Sequence, residues 1–143
     1  MPTSIQLSTF QIGTAPRPEE GLRIAVTRRP QRGVKTADLA RVGRFDVWLP
    51  SLAPSLELLE RFHPQGVTDA KLWQRFLNAY EKELLGHAES RQSVALLAEI
   101  AARIPISIGC FCANETDCHR SRLREIIVKV AADSHRLITA SVV

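Results

Sequence analysis

Long apolar runs are absent from this chain. Nothing approaches the roughly 18 to 20 residues that a membrane-spanning helix needs, and no such run precedes a small-residue cleavage site. Neither membrane insertion nor export is therefore expected, and the expected compartment is the cytoplasm, where thiols stay reduced. Internal repeats, low-complexity tracts and linkers are missing as well, which excludes solenoids and strings of modules. Aromatic residues make up only 6% of the chain, few for a surface that stacks nucleic acid bases. Cysteine is scarce too: there are three, all within the nine positions from Cys110 to Cys118. In a reducing compartment so tight a group points to chemistry rather than to a disulfide framework.

What is present is an ordinary globular composition, 45% hydrophobic and 24% charged over 143 residues, enough for one domain with its own core. The net charge of +4 is unevenly spread. From Arg17 to Arg44 eight basic residues face three acidic ones, while positions 45 to 103 run slightly acidic. Such a concentration favours anions: phosphates, carboxylates or a nucleic acid backbone. A solvated arginine-rich face is the plain alternative.

Hydrophobic periodicity orders the chain. "SIQLSTFQI" and "GLRIAVTR" alternate like strands, with Leu22, Ile24 and Val26 on one face of the second. Pro30 and Gly33 break "RPQRGVKTADL", where Thr36 can cap a short helical turn. Ser55 can cap the helix "LELLERF" after the Ala-Pro-Ser turn, and Thr68 the long helix that follows. Leu72, Trp73, Phe76, Leu77, Tyr80 and Leu84 recur along that helix as an apolar stripe, which reads as core and ends at Gly86. Ser90 starts a further helix, stopped before Pro105. "ISIGCF" reads as a strand covered on both faces, "ANETD" as a loop, and the stretch from Cys118 as a helix. The tail "RLITASVV" reads as a last strand. The whole predicts a single compact three-layer α/β domain with a mainly parallel sheet, Rossmann-like or flavodoxin-like.

In such sheets ligands sit beyond the carboxyl ends of the strands. "GCFCANETDCHRSRLREII" falls there, spanning a strand end and a helix start. A helix N-terminus attracts anions and lowers a thiol's pKa, so Cys118 is placed to be a thiolate. Cys110 and Cys112, two apart on an extended strand, share a face. Cys110 reads as core packing, and Cys112 can return across the loop towards Cys118. Four ligand types suited to zinc are present, yet C-x-C on a strand spreads its sulfurs and adjacent Cys118 and His119 diverge, so no metal and no cofactor are expected. Cys118 and Arg124 form a C-x5-R string, but the residues between them look helical and hold no glycine to wrap an anion.

These segments together resemble a known family. "RIAVTRRPQRGV", "FDVWLPSLAPSLEL", "WQRFLNAYEKEL" and the "CHR" opening of a helix are similar to the family called domain of unknown function 488, over about Leu22 to Ile127. Its YeaO-like branch resembles the front of this chain, and a branch with a Cys-loop-Cys-His-Arg motif resembles the back. The resemblance implies a three-layer α/β fold and a shared pocket. It carries over to Arg29, Arg32, Gly33, Trp48, Pro54, Ser55, Cys112, Cys118, His119 and Arg120.

The leading reading is a site for a small anionic or phosphorylated, nucleotide-like ligand. Arg29, Arg32 and Arg120 grip oxyanions and Ser55 adds a hydrogen bond. Cys118, His119 and Cys112 are the reactive groups, for thiol-dependent hydrolysis or transfer. A nucleic-acid-binding module built on residues 17 to 44 is one alternative, and a Cys112–Cys118 redox pair is another.

Overall fold

The computed structural model describes residues 5–62, 69–112 and 118–142. Four strands, β1 (Leu7–Gln11), β2 (Leu22–Ala25), β3 (Val47–Trp48) and β4 (Ile106–Cys110), form one sheet in the order β1-β4-β2-β3. Every pairing is parallel. The fold is α/β and Rossmann-like, as the alternation of apolar strands and helices predicts. The last strand in sequence to join, β4, lies between β1 and β2, and all five of its residues are buried.

Five helices accompany the sheet: α1 (Leu39–Gly43), α2 (Leu56–Phe62), α3 (Ala70–Gly86), α4 (Ala88–Ala101) and α5 (His119–Val142). The main core joins one sheet face, Ile24, Val26, Ile106 and Ile108, to the inward stripes of α2 to α5. Phe76, Leu77, Tyr80 and Leu84 of the α3 stripe are buried there, with Val94, Leu97 and Ala101 of α4. The opposite face carries a thinner layer, a small cluster of Phe10, Ile12 and Ala25 under Phe45 and Trp48. Gly109 is part of that closure. A Cβ on it would lie 2.3 Å from the Phe10 ring, so only glycine lets the ring cross β4.

Three local expectations change. The tail is helix rather than strand, since α5 runs on to Val142. No glycine or proline interrupts it, and a helix already nucleated gains a hydrogen bond with each added residue, which outweighs the weak strand preference of Ile138 and Thr139. The cap of α3 is Asp69, whose carboxylate accepts from the Lys71 and Leu72 N–H groups, and Thr68 lies outside the described residues, as does the "ANETD" loop. Ser90 sits within the first turn of α4, where its hydroxyl donates to the Leu84 and His87 carbonyls and fastens the tight α3–α4 junction.

The basic front segment is not all surface. Arg23 is 2% exposed. It donates to the Thr14 and Arg44 carbonyls at 2.6 and 2.8 Å, meets the buried Glu20 carboxylate at 3.3 Å, and stacks 4.0 Å over the Phe10 ring. Gly21 makes the approach possible: its φ is +58°, and a Cβ there would fall 2.1 Å from the Pro105 carbonyl oxygen.

Two outcomes test this packing. Gly109→Ala should destabilise the fold by about 1–3 kcal/mol through overpacking. Arg23→Met should cost about 3 kcal/mol, the low end for breaking a buried pair because Arg17 remains beside Glu20. The double change Glu20→Gln/Arg23→Met should recover part of that loss in urea midpoints.

Candidate functional site

The C-terminal ends of β2 and β4 meet the start of α5. β4 stops at Cys110, so Cys112 lies past the strand and is free of its alternation. The spread of sulfurs that the C-x-C spacing predicts therefore does not occur. The Sγ atoms of Cys110, Cys112 and Cys118 all lie within 4.8 Å of one another, and all three are free thiols. Cys110, read from the sequence as packing alone, is a full member of the group. Cys110 and Cys118 are 8% and 1% exposed, while Cys112 is half-buried.

Side chains of α5 hold the group in place. His119 Nε2–H donates to the Val26 carbonyl at 2.8 Å, which fixes the tautomer and leaves Nδ1 as an acceptor. Nδ1 then faces the Cys118 sulfur at 3.7 Å, so these neighbours do meet despite their adjacency in the helix. Tyr80 packs edge-on against the imidazole, ring centres 5.4 Å apart, and its hydroxyl donates to the Leu52 carbonyl. Nothing in the sequence marks Tyr80 as a neighbour of the site rather than ordinary core. Loss of water around the ring pushes His119 down to about 4, outweighing the opposing pull of the Val26 carbonyl, so the imidazole is neutral at physiological pH. Arg120 is 3% exposed, and one Nη donates to the Cys112 carbonyl at 2.6 Å. Its Nε is buried without a partner among the described residues.

Charge in the cluster is shared. The S–H groups of Cys112 and Cys118 donate to Cys110 and lower its thiol to about 3. The same contact with Cys110 raises Cys112 and raises Cys118 strongly, with burial adding to both. The three thiols titrate as one group, the first negative charge being stabilised by the S–H groups of its neighbours. One proton leaves the trio readily and a second does not, since two adjacent buried thiolates repel. Moving a single proton from Cys112 to Cys110 would put the negative charge on the most accessible sulfur.

The remaining expected residues belong to other segments, Ser55 before α2 and Arg29 and Arg32 after β2. Ser55 caps α2 by accepting from the Leu58 N–H at 3.2 Å, as its position predicts, and its hydroxyl donates to Glu83 at 2.6 Å. A hydroxyl held by a carboxylate is a poor partner for an anion. Arg29 and Arg32 are exposed on the loop after β2. Their neighbour Arg28 is structural, donating to the Ala53 and Pro54 carbonyls at 2.9 and 3.1 Å. Beside that loop Trp48, Phe45, Phe111, Ile12, Leu39 and Pro30 line a shallow groove that opens to solvent. No helix among the described residues is long and apolar enough to cross a membrane.

The family profile DUF488-N3a, described as the active DUF488-N3 subclade, matches residues 7–131. The uncharacterized protein YeaO of Escherichia coli (strain K12) is 33% identical over 100 residues, covering 70% of this chain and 77% of that protein. No solved structure matches the chain.

Exposure orders the thiols for reagents. Iodoacetamide should modify Cys112 first, with Cys110 and Cys118 protected until the fold opens. Peptide mapping of the alkylated protein measures the order, and early labelling of Cys118 would contradict this geometry.

Proposed function

The chain belongs to the domain of unknown function 488 family, and from that premise we propose that it binds a small anionic, nucleotide-like ligand and acts on it through the thiols at the β4–α5 junction. The observation that carries this reading is the convergence of three free sulfurs within 4.8 Å beside a buried arginine. Arg120 supports the anionic character of the ligand. Its guanidinium cannot lose its charge, and only one hydrogen bond to a described residue engages it. Arg29 and Arg32, exposed and without a carboxylate partner among the described residues, add positive potential from the loop after β2. The neighbouring apolar groove suits a flat, weakly polar portion of the same ligand. Cys112 is the attacking sulfur, since it is the most accessible of the three. It would displace a leaving group from the bound molecule, and water or a second acceptor would then take the transferred group from sulfur. His119 is the acceptor facing Cys118, and Ser55 is assigned to the α2 cap instead of the ligand.

A second reading, a reversible Cys112–Cys118 disulfide, is favoured by the sulfur separation. A peroxide-class oxidant would remove one hydrogen from each thiol and leave as water. The nucleic-acid alternative has less support, because Arg17, Arg23, Arg28 and Arg41 of the basic segment are engaged with carboxylates or carbonyls.

Melting curves of the reduced protein with inorganic phosphate, pyrophosphate and a nucleoside diphosphate test the ligand class. The diphosphate should raise the midpoint by several degrees at concentrations well above its Kd, and Arg29→Ala/Arg32→Ala should reduce that rise. Cys112→Ser should keep the shift and lose iodoacetamide-sensitive turnover of the bound compound. No shift with any of the three anions would sink the anion reading. Salt-dependent oligonucleotide binding in its place would establish the nucleic-acid alternative.

A further inference from the structure

We propose that Cys110, Cys112 and Cys118 form a three-thiolate site for a thiophilic closed-shell cation of the zinc class. The ligands come from the end of a buried strand, the residue two positions on, and the residue before a long helix, so no two of them depend on the same backbone element. Around a tetrahedral zinc with Zn–S bonds of about 2.3 Å, sulfurs stand roughly 3.8 Å apart. The three sulfurs here already lie within 4.8 Å of one another, so closing on a metal needs only small side-chain rotations. Among the described residues the donor set is all sulfur, which favours soft cations over calcium or magnesium.

The surroundings fit the charge as well as the geometry. Three thiolates around a divalent cation carry one net negative charge. Arg120 stands beside it, held to the Cys112 carbonyl at 2.6 Å, its Nε without a partner among the described residues. The N-terminal end of α5 adds a positive dipole at Cys118. The hydrogen bond from His119 to the Val26 carbonyl anchors the helix start that carries Cys118. Among the described residues three ligands converge, one fewer than the four of a closed structural zinc site.

Occupancy would remove Cys112 from reagents, so the cation would act as a switch on the thiol chemistry. That consequence rests on the function proposed above, whereas the binding itself does not.

Zinc(II) alone is the probe, added to the fully reduced full-length chain against a chromophoric chelator, with native mass spectrometry to count bound ions. One zinc per chain is expected, with affinity falling more than about a hundredfold in Cys110→Ser and in Cys118→Ser, beyond the loss typical of outer-shell changes. Should either buried variant fail to fold, Cys112→Ser and the near-ultraviolet sulfur-to-cobalt bands of the cobalt-loaded wild-type chain report the thiolate ligands instead. Absence of stoichiometric zinc, zinc retained undiminished in the serine variants, or cobalt bound without sulfur bands each overturns the site. Iodoacetamide labelling with and without zinc separates the two proposals. An inert Cys112 in the metal-free chain defeats the thiol function and leaves the metal site standing, while a reactive Cys112 that zinc does not protect defeats the metal site.

Discussion

Carbonyls at the end of β2 set the geometry of this molecule. A parallel strand that runs out leaves backbone oxygens without ladder partners, and burying one unsatisfied costs about 1–3 kcal/mol. Three successive carbonyls are satisfied here from three separate places. Ala25 accepts from the Leu49 N–H, Val26 from the His119 imidazole and Thr27 from the Trp48 indole, at 2.8 Å in each case. Two more, at Ala53 and Pro54, are taken by Arg28. Residues that look reactive or ligand-binding in the sequence are therefore, in good part, donors that finish a sheet.

The site follows from that constraint. Because His119 must reach the Val26 oxygen, the first turn of α5 is fixed against β2, and Cys118 is fixed with it. Arg120 then reaches back to the Cys112 carbonyl, which holds the chain after β4 close to the same helix start. The sulfurs converge because backbone oxygens on either side of them are claimed by the two residues that follow Cys118. No bond between thiols is needed. The His-Arg pair after the last cysteine is the clamp that makes three scattered cysteines into one group.

Much of this is legible in the sequence and some is not. Apolar alternation marks β1 and β2, a continuous apolar run marks β4, and the spacing of Phe76, Leu77, Tyr80 and Leu84 marks α3, because burial is a local signal. The clustering of Cys112, Cys118, His119 and Arg120 is legible for the same reason, since they lie near one another in sequence. Partners chosen across the fold are not. Ser55 reads equally well as a cap and as an anion donor, and only Glu83, 28 positions on, assigns its proton. Arg23 reads as one more surface cation until Glu20, Thr14 and the Phe10 ring surround it. Cys110 is buried, as its core reading expects, but that Cys112 comes back beside it is not legible, because the strand stops at Cys110 through its pairing with β1.

The distribution of arginine shows how such a chain can be both basic and tightly built. Arg23, Arg28 and Arg120 are enclosed or tied to carbonyls, where a guanidinium's several donors satisfy oxygens that no single N–H could reach. Their charge is offset only in part: Glu20 faces Arg23, while Arg28 and Arg120 donate to neutral carbonyls. Positive potential thus remains at the carboxyl edge of the sheet even where the arginines are structural, and it falls on the side where the three sulfurs lie. A thiolate is stabilised by such a field, as is any oxyanion that approaches it. Bracing of the backbone thus brings one of these cations, Arg120, to the residue that carries the most accessible sulfur.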